Sequence, residues 1–111
     1  MGKPSNDRLF GTVDLLVLRT LSRGGPLHGY DVTERIKAAS ADVLKMEEGS
    51  LYPALHRMEE AGWLTSRWDV SDNNRRARFY TITATGRRHL HTLEADWARH
   101  VDAVARVLKL A

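Results

Sequence analysis

The sequence predicts a mainly α-helical domain that carries one β-hairpin and ends in a long helix. Three observations support this fold class. Apolar residues recur at helical spacing in three segments before residue 62, alternate with polar residues at the two-residue period of a strand just after it, and then return to helical spacing up to the carboxyl end. A chain of 111 residues has room for one domain only.

The first predicted helix covers residues 9–21, where the apolar side chains share one face. These side chains are Val13, Leu16, Val17 and Leu21. The helix ends at the run Arg23-Gly24-Gly25-Pro26, because glycine relaxes the backbone and proline removes a hydrogen-bond donor. Residues 1–8 precede it and are predicted to form a flexible tail.

The second predicted helix runs from about His28 to Ala39 and is short and polar, with Val32 and Ile36 on its inner side. A connector follows over residues 40–48. Its apolar residues Val43, Leu44 and Met46 either pair briefly with another segment or cover the core, and both alternatives stay open.

The third predicted helix covers about Ser50 to Ala61, and its apolar stripe consists of Leu51, Leu55 and Met58. Pro53 is expected in the opening turn, because a proline ring clashes with the carbonyl group four residues back. Gly62 is the residue type that caps a helix at its carboxyl end.

Two strands are predicted next, from Leu64 to Val70 and from Ala77 to Ile82, joined by a turn at residues 71–74. Thr83 then caps a last helix of about 28 residues that ends at Leu110. Its apolar stripe is longer than one small core can cover, so part of it is expected to face another chain. The predicted dimerisation residues on this stripe are Leu90, Leu93, Trp97, Val101, Val104 and Leu108.

The net charge of +3 is modest, but the positive charge is concentrated in one stretch. Residues 73–93 contain five arginines and no acidic residue, so the rest of the chain is slightly acidic. The arginines are Arg75, Arg76, Arg78, Arg87 and Arg88. Because they begin on the predicted hairpin, they favour a polyanion-binding surface over a solvated turn that merely contains many arginines.

Three helices followed directly by a hairpin is the element order of a winged helix-turn-helix domain. In that fold the third helix enters the major groove of double-stranded DNA, and the hairpin, called the wing, reaches an adjacent groove or the backbone. We therefore predict a DNA-binding domain over residues 9–82 and a carboxyl-terminal dimerisation helix over residues 83–111.

The chain resembles the PadR family of bacterial transcriptional regulators over about Leu9 to Arg88. The matching blocks are His28-Gly29-Tyr30-Asp31, Gly49-Ser50-Leu51-Tyr52-Pro53-Ala54-Leu55, Glu59-Glu60-Ala61-Gly62-Trp63-Leu64, Arg78-Phe79-Tyr80 and Thr83-Ala84-Thr85-Gly86-Arg87. The second block is highly specific. The resemblance implies a homodimeric repressor that dimerises through its first and last helices and binds an inverted-repeat operator.

The predicted DNA contacts lie on the polar side of the third helix and on the wing. They are Ser50, Tyr52, Pro53, His56, Arg57, Arg75, Arg76 and Arg78. For Arg57 the alternative is a surface ion pair with Glu60, three residues further on. The resemblance implies that Tyr52 touches the phosphate backbone, and the alternative is a hydroxyl group hydrogen-bonded inside the domain.

Trp97 is the largest side chain on the stripe of the last helix, and two interpretations compete for it. We favour packing in the dimer interface, because a single aromatic residue on a helical stripe is usually buried. The resemblance to small members of the family implies the alternative, in which the tryptophans of two subunits sandwich a planar aromatic effector.

No metal, cofactor or catalytic site is predicted. His89 and His91 project to opposite sides of a helix, and the glycine elbow that accompanies a catalytic serine is missing from the sequence. The sequence contains neither an apolar run of about 18 residues nor an apolar stretch near residue 1, so we expect a cytoplasmic protein that does not bind membranes. The alternative function is a winged helix used only for protein interaction, which would not need the arginine excess.

Overall fold

The computed structural model describes residues 4–110, with side chains from residue 12 to residue 109. Over this range it confirms the predicted fold class, a mainly helical domain with a β-hairpin and a long last helix. The elements in chain order are α1 (Pro4–Gly24), β1 (Leu27–His28), α2 (Gly29–Ala39), α3 (Glu48–Glu60), β2 (Leu64–Val70), β3 (Arg76–Ile82) and α4 (Ala84–Leu110). The strands form one antiparallel sheet in the order β1-β3-β2.

Helix α1 starts earlier than the sequence pattern indicated. It begins at Pro4, five residues before the predicted start at Leu9 and within the segment predicted as a tail, while residues 1–3 lie outside the described part of the chain. A proline fits the first position of a helix because its φ angle is already helical and its missing N–H has no helical partner there.

Strand β1 was not predicted, because two residues are too few to show a period. Leu27 pairs with Tyr80 and His28 with Phe79, which fastens the start of α2 to the inner edge of the wing. His28 also caps α2, since its Nδ1 accepts a hydrogen bond from the backbone N–H of Asp31 at 3.3 Å. The connector over residues 40–47 forms no strand; Met46 packs against the core, whereas Val43 and Leu44 are exposed.

Helix α3 also begins earlier than predicted, at Glu48, so Pro53 lies in the second turn and not in the opening turn. The proline leaves the exposed carbonyl group of Gly49 without a helical donor, and water can satisfy it there. At the carboxyl end of α3, Gly62 is the cap residue, as predicted. Gly62 has φ +86°, with Gly62 N–H bonded to the carbonyl of Glu59 and Trp63 N–H to that of Met58, both at 3.0 Å, which is the Schellman arrangement.

The core lies between α1, α3 and the base of the sheet. Side chains from every helix and from the sheet contribute to it, among them Leu18, Val32, Leu51, Leu55, Met58, Leu64 and Leu90. Helix α1 contacts both α3 and α4.

The base of the wing is joined to α4 by a tight junction around Thr83, which we call the α4 junction. The Thr83 hydroxyl accepts from the N–H of Gly86 at 2.9 Å and donates to the carbonyl of Gly62 at 2.7 Å, so Thr83 is the predicted cap. A methyl group at Gly86 would overlap the carbonyl oxygen of Trp63. Glycine is therefore required where α4 crosses the end of α3.

Candidate nucleic-acid interface

Helix α3 presents one polar side to solvent and packs the other on the core. Five of the predicted DNA contacts are on the exposed part of its surface, namely Ser50, Tyr52, Pro53, His56 and Arg57. The stripe of Leu51, Leu55 and Met58 is fully buried. The side chain of His56 lies 3.3 Å from the carboxylate of Glu60, the residue named as the alternative partner of Arg57.

Arg57 makes a bidentate ion pair with Asp14 of α1, a partner different from Glu60, which was the alternative to a DNA contact. The two N–O distances are 2.9 and 2.8 Å, and Asp14 is only 8% exposed. This hydrogen bond raises the pKa of Arg57 further above its ordinary value. A buried carboxylate requires a cation, and this requirement decides the orientation of Arg57. The signal in the sequence was an aspartate among the apolar residues of the first helix.

Tyr52 packs its ring over Gly29, where an added Cβ would lie 2.7 Å from the Tyr52 Cε1 atom. Among the described residues its hydroxyl makes no hydrogen bond, so the alternative of an internal partner is not observed. Burial, helped by the negative charge of Glu48, raises the pKa of Tyr52 above its ordinary value. The hydroxyl is therefore protonated at neutral pH and can donate a hydrogen bond.

The wing carries the three predicted arginines on or beside β3. Arg75 closes the turn, where Ser71 N–H donates to its carbonyl at 2.7 Å and Asn74 takes a left-handed conformation with φ +61°. Arg76 and Arg78 lie over the ring of Trp68, with guanidinium carbons 5.1 and 5.5 Å from its centroid. Trp68 was not among the predicted site residues.

Arg78 is also tied to α3. Its Nε donates to the Ser66 hydroxyl at 2.8 Å, that hydroxyl donates to a carboxylate oxygen of Glu59 at 2.7 Å, and an N–O distance of 3.8 Å joins Arg78 to the same carboxylate. Glu59 therefore offsets part of the positive charge of Arg78. A signal of this network was present in the sequence, because Ser66 is a polar residue between Leu64 and Trp68 on one face of β2.

Helix α3 and the wing share a groove of about 610 Å³, which we call the α3–wing groove. It brings together Tyr52, Trp68 and the wing arginines Arg75, Arg76 and Arg78. Ser50, Pro53 and His56 are on α3 but do not line this groove. A hydroxyl donor and several guanidinium groups thus face one space from two different elements.

Two predicted dimerisation residues belong instead to the core of the single chain. Leu90 is 3% exposed, and Leu93 is half-buried against the same core. The first turns of α4 pack on α1, where Arg19 and Glu94 form an ion pair, and this packing covers both leucines. The rest of the stripe is exposed in the single chain and consists of Trp97, Val101, Val104 and Leu108.

The histidines do not gather into a metal site in the described part of the chain, where no cluster of three metal-ligating residues occurs. His89 stacks on Trp63, with ring centroids 3.7 Å apart and an interplanar angle of 13°. None of the helices between residues 4 and 110 is both long enough and apolar enough to span a membrane.

Comparison with known proteins gives a consistent result. The family model "Transcriptional regulator PadR-like family" matches residues 17–92. The negative transcriptional regulator PadR of Bacillus subtilis (strain 168) is 30% identical over 89 residues, which make up 80% of this chain and 47% of that protein, so the chain spans about half the length of this relative.

Solved structures are similar over nearly the whole chain. A PadR family transcriptional regulator from Eggerthella lenta is 29% identical, with a TM-score of 0.78 and coverage of 97% of this chain and 92% of that one. A transcriptional regulator from Clostridium thermocellum has the same fold, with a TM-score of 0.81, 24% identity and coverage of 90% and 96%.

Proposed function

The chain belongs to the PadR-like family of transcriptional regulators, and from this premise we propose that it acts as a homodimeric, DNA-binding repressor. In this proposal α3 enters the major groove, the wing arginines lie along phosphates, and the exposed stripe of α4 joins two protomers. Because a twofold dimer presents two recognition helices, the operator is an inverted repeat.

The observation that carries the proposal is the α3–wing groove. Tyr52 supplies a neutral donor from α3, and Arg75 and Arg76 supply cations from the wing, all facing one space. Hydroxyl and guanidinium donors are the groups with which proteins bind the DNA backbone. A winged helix that binds only other proteins would not need this arrangement of cations.

We assign Arg57 a different role from the other predicted contacts. A base contact through its guanidinium group would take the partner away from the buried carboxylate of Asp14. In our proposal Arg57 fixes α3 against α1, and base reading falls to the exposed side chains of the first turns, Ser50, Pro53 and His56.

Selection of bound fragments from genomic DNA with the purified protein tests the proposal directly. We expect enriched inverted repeats whose half-sites lie about 34 Å apart, one helical turn, or a multiple of that distance. Failure to enrich any sequence, together with capture of a protein partner, would favour the alternative function, a winged helix used only for protein interaction.

Arg75 and Arg76 should make DNA binding steeply dependent on salt. If all three wing arginines neutralise one phosphate each, a dimer releases six counterions, and log affinity falls with log salt at a slope of about −5. Replacing Arg75 and Arg76 by alanine should flatten the slope by up to about 3.6 and leave the preferred sequence unchanged. Arg78→Ala should have a smaller effect, because Glu59 already offsets its charge.

Fluorescence anisotropy of a labelled operator over a range of salt concentrations measures this slope. The matched control is Arg99→Ala with Arg106→Ala, which removes two exposed arginines from α4, far from the wing. An unaltered slope in the wing variant would exclude the wing from DNA binding.

We also propose that a planar aromatic compound can regulate the protein through Trp97. This side chain is 47% exposed and lines a cleft with Val101 and Ala105 on α4, and an exposed indole can stack on a flat ring. Such a ligand releases DNA only if it prefers the DNA-free spacing of the two recognition helices.

Intrinsic fluorescence with a panel of planar aromatic cations and phenols tests this role. We expect quenching in the wild type that is lost in Trp97→Phe, with Trp63 and Trp68 still present as internal references. Quenching compounds should also lower operator affinity. If none quenches Trp97 selectively, or if those that do leave operator affinity unchanged, Trp97 serves only to pack the interface.

A further inference from the structure

Trp68 lies on the same face of the wing as two of the three arginines. Its register partner on β3 is Arg78, and Arg76, two residues earlier on β3, is its diagonal neighbour. The indole is 54% exposed, so it removes little apolar surface from water. The ring contacts that the structure shows for it are with these two guanidinium groups.

The two arginines differ in what else holds them. Both lie within the range of about 6 Å over which a cation is attracted to an aromatic face. Arg78 is also hydrogen-bonded to Ser66 and faces Glu59. For Arg76, by contrast, no other side-chain partner occurs between residues 12 and 109, so its orientation depends on the indole.

We infer that Trp68 is a positioning residue for DNA binding, whose indole holds Arg76 in place over the α3–wing groove before DNA arrives. A free arginine side chain loses conformational freedom when it binds a phosphate, and one that is already ordered loses less. The aromatic contact uses the flat face of the guanidinium group and leaves the N–H donors at its edge available. This inference rests on the proposed function.

Trp68→Leu removes the aromatic face and keeps every charge. We expect affinity to fall roughly three- to tenfold, the range for ordering one long side chain, with an unchanged salt slope. The loss should be equal on the operator and on an unrelated duplex, because phosphate contacts do not depend on sequence. Trp68→Tyr, which restores an aromatic face, should recover most of the affinity.

A double-mutant cycle separates positioning from direct contact with DNA. Trp68→Leu should cause little further loss in an Arg76→Ala background, because the side chain that it positions is gone. In an Arg75→Ala background the full loss should remain, since Arg75 lies at the turn and, among the described residues, has no cation–π contact with the indole. Arg75→Ala is thus the matched control for Arg76→Ala, because it removes the same charge from the neighbouring residue of the wing.

Each outcome decides the question. If Trp68→Leu lowers affinity as much in the Arg76→Ala background as in the wild type, the inference is overturned, whereas the proposed DNA binding is not. If Trp68→Leu also lowers the melting temperature in that case, Trp68 only stabilises the hairpin. If the wild type binds no duplex even at low salt, the proposed function and this inference fail together.

Discussion

Replacing Val101 and Val104 by glutamate is expected to convert the proposed dimer into monomers and to abolish tight operator binding. Both side chains are exposed in the single chain and lie on the stripe with Trp97 and Leu108. A twofold interface would bring four added carboxylates into an apolar contact, where their desolvation and repulsion should raise the dissociation constant at least about 100-fold. Operator affinity then falls as well, because one protomer reads only one half-site.

Light scattering after size-exclusion chromatography measures this change as a shift from about twice the chain mass to 12.6 kDa. The matched control is Ala95→Glu with Ala103→Glu, which adds the same charge at exposed positions of α4 that lie off the stripe. A wild-type protein that is already monomeric at micromolar concentration would contradict the proposed dimer.

Arg57→Ala should be the more destabilising of the two truncations at the Asp14–Arg57 pair. It leaves the buried carboxylate of Asp14 without a partner and is expected to lower the free energy of unfolding by about 3 kcal/mol. Asp14→Ala should have a smaller effect, about 1–2 kcal/mol, because the half-exposed guanidinium group of Arg57 can turn to water. Urea unfolding at one fixed protein concentration compares the two variants.

The double replacement Asp14→Leu with Arg57→Met separates charge pairing from packing. Apolar substitutes of similar size often match a buried ion pair in stability, so this variant should unfold close to the wild type. Equal destabilisation by the two single truncations would show that the pair matters through packed volume and not through the buried charge.

The sequence predicted the order of the four helices and of the two hairpin strands because each of these is longer than its own period, whereas the two-residue strand β1 is not. The alternation from Leu64 to Val70 and the cap residues Gly62 and Thr83 identified the wing and its boundaries almost to the residue. Such signals are local. They depend only on neighbours along the chain, so they can be recognised without knowledge of tertiary contacts.

The candidate site was harder to predict where a side chain has partners far along the chain. Arg57 pairs with a residue 43 positions earlier, and no spacing rule on α3 can reveal that. Leu90 belongs to the same periodic stripe as Val101, yet one is buried in its own chain and the other is exposed, because α1 covers only the first turns of α4. A repeat identifies a face and does not identify what covers it.

The α4 junction makes the long last helix a lever arm. Thr83 and Gly86 hold its first turn against the end of α3, and the whole helix is 27 residues long, about 40 Å. A rotation of about 5° at the junction moves the far end by about 3.5 Å, close to the rise of one base pair along DNA. In the proposed dimer, joined along α4, a change of angle at this junction would therefore change the spacing of the two recognition helices by about one base pair.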